Sequence, residues 1–162
     1  MVMMNPSGIP LPPDLAGGPV VIGVDSASTC GRPLRAAVFL SRALCRPLLL
    51  VHVRRRSMPM VEGYVPIPEE LGVDDTAEHA IEEGLRTMLM SGGDLDGVDW
   101  ELISVTGEAA GELIRVATDR DAACVVVGKR HKGFAEFVHR MASGSVSRAV
   151  VATQKFPVLV VP

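Results

Sequence analysis

Short apolar runs alternate with segments of helical periodicity along this chain, and this alternation limits the fold more than any other sequence feature. Strands are predicted at 20–24, 48–53, 100–105, 124–127 and 157–161, where the runs are apolar except at His52, Glu101 and Ser104. Helices are predicted where apolar residues recur at helical spacing, at 33–44, 74–90, 108–119 and around 146–150. Continuously apolar strands are typical of a parallel sheet that is buried on both faces. The sequence therefore predicts an α/β domain, an open parallel five-stranded sheet with helices on both faces.

Composition removes several classes of function. The chain has 162 residues, of which 48% are hydrophobic and 22% charged, the balance of a globular domain. Aromatic residues are only 4% and the formal net charge is -3, so no nucleic-acid partner is expected. No apolar run approaches the ~20 residues that a membrane-spanning helix requires, so no membrane partner is expected either.

The amino-terminal segment and the cysteines bear on the cellular compartment of the protein. Residues 1–18 contain several Pro and Gly but no basic segment followed by an apolar one, so they are predicted to be a flexible tail and not a secretion signal. Residues 19–162 then form one domain. Cys30, Cys45 and Cys124 are widely spaced and lack a CxxC motif, which favours reduced thiols, a cytoplasmic location and no metal site. Cys45 and Cys124 are expected in apolar packing.

Candidate functional residues follow the predicted strands at their carboxyl ends, where ligands of open α/β sheets bind. Asp25 follows the first strand, the basic run 54–56 follows the second, and Gly128 with the run KRHK follows the fourth. These two runs hold six of the 16 basic residues, which favours an anion such as a phosphate at this edge. Each run is also compatible with a solvated surface loop.

Several of the candidate residues could have a structural role instead of a functional one. Asp25 could cap the following helix, and Ser145 could do the same for the last helix. His52 lies inside a predicted strand, where a hydrogen-bonded structural histidine is the favoured interpretation. The chain has no P-loop, GxGxxG, GxSxG or HExxH motif, so no enzymatic activity and no catalytic residue are predicted.

A series of short motifs resembles the universal stress protein family over about residues 20–162. The motifs, in chain order, are GVDSAS, LLLVHV, Gly107 after the third strand, VVVG, GSV and FPVLVVP. The resemblance implies a Rossmann-like sheet in the strand order 3-2-1-4-5. It also implies a homodimer that forms through strand 157–161.

The resemblance further implies an adenine-nucleotide site, because one subgroup of the family binds ATP. By position, Asp25 and Val53 would hold the adenine. Gly128 would open the G-x2-G-x9-G-[ST] signature, and Gly144 with Ser145 would close it around ribose and phosphates.

The middle of that signature differs from the family pattern. His131 stands where the second glycine is expected, and twelve residues instead of nine separate it from the closing glycine. Gly133 is the candidate substitute for that glycine, and Lys129 and Arg130 are the candidates for charge near the phosphates. The first hypothesis is a stress-response or signalling protein that binds ATP, with or without magnesium, with slow hydrolysis of the bound ATP as an open alternative. The second is a UspA-like dimeric interaction module that binds no nucleotide, and the third is an enzyme of the wider adenine-nucleotide hydrolase-like fold.

Overall fold

Eight helices and strands follow one another in the order expected from the apolar pattern. The computed structural model describes residues 17–54, 75–107, 109–128 and 156–162. The elements are β1 (Val20–Val24), α1 (Gly31–Leu44), β2 (Leu48–Arg54), α2 (Asp75–Ser91), β3 (Trp100–Thr106), α3 (Ala109–Asp119), β4 (Cys124–Gly128) and β5 (Val158–Val161). The predicted helix around 146–150 lies outside the described residues, as do residues 1–16 of the predicted tail.

All five strands form one parallel sheet in the order β3-β2-β1-β4-β5. This confirms both the predicted α/β class and the order that the family resemblance implied. The chain moves outward from β1 through β2 to β3, and then crosses back to place β4 on the other side of β1. The strand order therefore reverses between β1 and β4, and in open α/β sheets this is where a crevice forms.

Helices cover both faces of the sheet because alternate side chains of each strand point to opposite sides. On β1, Val20, Ile22 and Val24 pack with residues of α1 and α2 in one apolar cluster. Val21 points the other way and packs with residues of α3 in a second cluster. Burial of each such side chain contributes roughly 1.5–3 kcal/mol, so the central strands hold both layers together.

Helix α1 follows β1 across the sheet and ends in a left-handed residue. Cys45 has φ 52° and its N–H donates to the carbonyl oxygens of Ser41 and Arg42, which completes the last turn. This backbone conformation leaves the Cys45 side chain exposed, so the expectation of apolar packing is wrong for Cys45. The expectation is confirmed for Cys124, which is buried in the cluster beneath α1 and α2.

The start of β1 is held against the turn between α3 and β4 by a close backbone approach. The N–H of Gly18 donates to the carbonyl oxygen of Asp121 at 2.9 Å. A Cβ at Gly18 would lie 2.2 Å from the backbone oxygens of Arg120 and Asp121, so only glycine fits there. The described residues include no helix long and apolar enough to span a membrane.

Candidate functional site

A pocket of about 440 Å³ lies at the carboxyl ends of β1 and β4, where the strand order reverses. Its walls come from the end of β1, the loop that follows, the first turns of α1, the end of β4 and the end of the chain. The described lining residues are Gly23, Asp25, Ser28, Thr29, Cys30, Gly31, Arg32, Pro33, Arg35, Gly128, Val161 and Pro162.

Two of the residues predicted from the sequence are brought together in this pocket. Asp25 and Gly128 both line it, and the Asp25 side chain is exposed. Val53 does not line it, but its backbone lies close by. Val24 pairs with His52, so the next position of β2 places Val53 beside Asp25. The other candidate residues, Lys129, Arg130, Gly133, Gly144 and Ser145, lie outside the described residues.

Gly128 is at the pocket wall because β4 and α1 approach each other closely there. A Cβ at Gly128 would lie 2.9 Å from Cγ of Pro33, which belongs to a rigid ring. A Cβ at Gly23, on the neighbouring strand, would lie 3.3 Å from a methyl group of Leu113. The packing of α1 on the sheet is therefore sufficient to explain the glycine that ends β4.

The cationic side chains among the described lining residues come from α1. Arg32 and Arg35 line the pocket from the first turns of this helix, and both side chains are exposed. The sequence prediction did not include them, because each is an isolated arginine and not part of a run of basic residues. Their spacing of three residues, immediately after the loop of β1, places both on one helical face and was the available signal.

Arg54 is the one described residue of the basic rim predicted from the sequence, and it pairs with an acidic side chain. Arg54 ends β2, but it does not line the pocket. Its guanidinium instead forms an ion pair with Glu82 of α2, and the hydrogen bond from Arg54 lowers the pKa of Glu82 below its usual value. Arg54 thus contributes an ion pair to the interface between α2 and the sheet.

His52 joins three elements next to the pocket. Its Nδ1 lies 3.1 Å from the carbonyl oxygen of Val24, and its Nε2 lies 3.2 Å from Oε2 of Glu78 on α2. A carbonyl oxygen can only accept, so Nδ1 carries a hydrogen. The imidazole is only 2% exposed. His52 is therefore a buried structural histidine, as predicted, and it positions the end of β1 directly before Asp25.

The buried cysteines are neutral thiols. Burial raises the pKa of Cys30, which lines the pocket, and raises the pKa of Cys124 to about 11. Each thiol therefore stays protonated at neutral pH, which disfavours nucleophilic chemistry. No group of three or more His, Cys, Asp or Glu in the described ranges could hold a metal ion.

The strand order and the position of the pocket define the class of protein. An open parallel sheet with a polar pocket at the reversal of strand order is the arrangement in which α/β proteins bind small ligands. The chain belongs to the universal stress protein family, whose model matches residues 18–162. This membership confirms the resemblance that the sequence motifs indicated.

Several members of the family are similar to this chain over almost its whole length. It is 29% identical to the universal stress protein YxiE of Bacillus subtilis over 148 residues, covering 88% of this chain and 97% of that protein. A universal stress protein of Archaeoglobus fulgidus in complex with dAMP superimposes with a TM-score of 0.53 at 21% identity, over 100% of both chains. A universal stress protein in complex with cAMP gives a TM-score of 0.57 at 20% identity, over 91% of this chain and 98% of that one.

Proposed function

We propose that the pocket at the ends of β1 and β4 binds an adenine nucleotide, with ATP as the principal ligand. The observation that carries the proposal is the combination of Asp25, Arg32 and Arg35 around one pocket at the reversal of strand order. A carboxylate accepts hydrogen bonds from an exocyclic amine, and guanidinium groups attract phosphates. The two parts of a nucleotide thus have complementary groups in the same pocket.

The relatives support this class of ligand. Two similar universal stress proteins were solved in complex with dAMP and with cAMP, and both ligands are adenine nucleotides. Under the proposal, Asp25 and the backbone of Val53 hold the adenine. Gly128, together with Gly144 and Ser145, approaches the ribose and phosphates.

The proposed activity is binding, in a stress-response or signalling role in the cytoplasm, and it involves no catalysed reaction. Titration calorimetry on nucleotide-stripped protein with adenosine, AMP, cAMP and ATP tests it directly. Asp25→Ala should weaken binding of every adenine compound by about tenfold, the scale of one hydrogen bond to a charged group. Asp94→Ala, in the exposed turn after α2, is the matched control and should leave affinity unchanged. Failure of all four compounds to bind at millimolar concentration would refute the proposal.

We also propose that the protein is a homodimer that forms through strand 157–161. β5 is an edge strand, and its Leu159 and Val160 are 41% and 43% exposed. An exposed apolar edge favours pairing with another chain, and a two-fold partner can cover both copies at once. The same edge supports the second hypothesis, an interaction module that dimerises but binds no nucleotide.

Light scattering coupled to gel filtration at micromolar concentration tests the dimer. The wild-type protein should elute with twice the mass of one chain, whereas Leu159→Lys combined with Val160→Lys should elute as a monomer. Phe39→Lys serves as the control, because Phe39 is 69% exposed but lies on α1. A monomeric wild-type protein would contradict the proposal. A dimer that fails to bind adenine nucleotides would favour the interaction module.

A further inference from the structure

We infer that Arg32 and Arg35 determine ligand specificity in this pocket, by selecting adenine nucleotides according to the charge of their phosphates. The inference rests on the proposed adenine-nucleotide site and adds the part of the ligand that α1 recognises. Both residues stand on the first turns of α1 and line the pocket that also contains Asp25.

Neither arginine has an anionic partner in the described part of the molecule. Arginines and one histidine contact acidic side chains there in five pairs, and none of these pairs includes Arg32 or Arg35. Arg35 makes one local hydrogen bond, from its Nε to the carbonyl oxygen of Gly31 at 3.3 Å. The acceptor of that bond is a neutral carbonyl oxygen, and most of the N–H groups of both guanidinium groups are available to a ligand.

Most of the other arginines of the described chain have partners, and Arg86, which has none among the ion pairs and hydrogen bonds described, does not line the pocket. Arg115 lies between two carboxylates of α3, and Arg54 is bonded to a carboxylate of α2. Arg42 and Arg46 donate to the backbone oxygens of Asp96 and Gly17. Arg32 and Arg35 line the pocket and have no such long-range partner, so we expect them to contact a ligand.

Among the described residues, α1 contributes two basic side chains and no acidic one to the wall of the pocket. The first turn of α1 contains no acidic residue, and Asp25 contributes the one carboxylate side chain among the described lining residues. Attraction to these arginines grows with each phosphate charge on the ligand, whereas adenosine gains nothing from it. The structure thus predicts a preference for ATP over AMP that depends on Arg32 and Arg35.

The experiment compares the affinities of adenosine, AMP and ATP for the full chain and its variants by calorimetry at constant ionic strength. Arg32→Gln and Arg35→Gln each keep a helix-compatible polar side chain and remove one charge. Each should lower ATP affinity by about fivefold, the upper range for an exposed ion pair, and should leave adenosine affinity unchanged. The double variant should reduce the ratio of ATP to AMP affinity further than either single variant.

Two controls separate local contact from net charge. Arg86→Gln on α2 and Arg120→Gln after α3 remove the same charge at exposed residues that do not line the pocket. They should leave the ratio unchanged. Raising the salt concentration from about 0.05 M to about 0.5 M should reduce the ATP preference of the wild type and should have little effect in the double variant, because salt screens exposed charges.

The outcomes distinguish this inference from the proposed function. If adenosine and ATP bind but the ratio of ATP to AMP affinity is the same in all variants, the inference is overturned and the nucleotide site stands. If no adenine compound binds, the proposed function fails, and titration with inorganic tripolyphosphate then decides the inference alone. Tripolyphosphate binding that is lost in the double variant supports it, and no binding to the wild type overturns it.

Discussion

Replacing Gly128 by alanine should destabilise the protein through a single steric contact with Pro33. Gly128 does not have a positive φ, so alanine is compatible with its backbone and no strain enters there. The new methyl group would lie 2.9 Å from Cγ of Pro33, a distance at which one of the two must move. A proline ring cannot rotate away, so α1 and the end of β4 must separate.

The expected cost follows from two opposing effects. Overpacking of a closely packed site costs about 1–3 kcal/mol. Loss of glycine flexibility in the unfolded chain offsets this by about 0.4–1 kcal/mol. Gly128→Ala should therefore lower the free energy of unfolding by about 1–2 kcal/mol, measured by urea denaturation followed by circular dichroism.

Two companion variants make the explanation specific. Gly23→Ala places its methyl group 3.3 Å from a Leu113 methyl group, which can shift, so its cost should stay below about 1 kcal/mol. Pro33→Ala removes the Cγ atom that the new methyl group of Gly128→Ala would contact, so the cost of the glycine substitution should largely disappear in that background. A Gly128→Ala protein as stable as the wild type would refute the steric explanation, and so would an equal cost in both backgrounds.

The contacts of α2 with β2 lead to two more predictions. Glu78→Ala leaves Nε2 of His52 without its partner and should cost about 1–3 kcal/mol of unfolding free energy. Glu78→Gln keeps an amide that can accept from that nitrogen or donate to it, and should cost less than half as much in the same urea titration. Because Arg54 lowers the pKa of Glu82 in the folded state, their ion pair stabilises the protein above the usual carboxyl pKa and is lost as the pH falls through the lowered value. The Glu82→Gln protein should thus be less stable than the wild type by about 1 kcal/mol at pH 7 and equally stable in acid. Glu83→Gln, at an exposed neighbouring residue, is the control and should leave the free energy of unfolding at pH 7 unchanged.

The strands were predictable because each is defined by a property of its own residues. The central strands β1, β2 and β4 are largely apolar because both of their faces are mostly buried, whereas the edge strands β3 and β5 are only partly buried. The observed β1 coincides with the predicted strand, and β2, β3, β4 and β5 differ from the predicted strands by one residue each. The start of α1 was less accurate, at Pro33 instead of Gly31. Proline marks the first turn of a helix but is tolerated at more than one position within it, so it locates the turn and not its first residue.

The misassigned residues share a different property, which is that their role depends on the folded backbone and on partners distant in sequence. Arg54 belongs to a basic run in the sequence, yet Glu82, 28 residues further on, binds its guanidinium. Cys45 follows an apolar helix, yet the left-handed cap of α1 turns its side chain outward. Neither outcome can be inferred from local composition, because local composition specifies neither how a helix ends nor which side chains meet across α2 and β2.

The glycine at the end of β4 shows why sequence motifs alone locate this site better than they identify its ligand. In the sequence, Gly128 is notable as the opening of a phosphate-binding pattern. In the structure, contact with Pro33 accounts for it without any ligand, so its presence carries little weight for nucleotide binding. Asp25, Arg32 and Arg35 carry more weight, because their exposed charged side chains line one pocket and match the chemistry of the base and the phosphates. The chemistry of the ligand should therefore be sought first with variants of these three residues, and a glycine variant that loses binding would report on the position of α1 as much as on a phosphate.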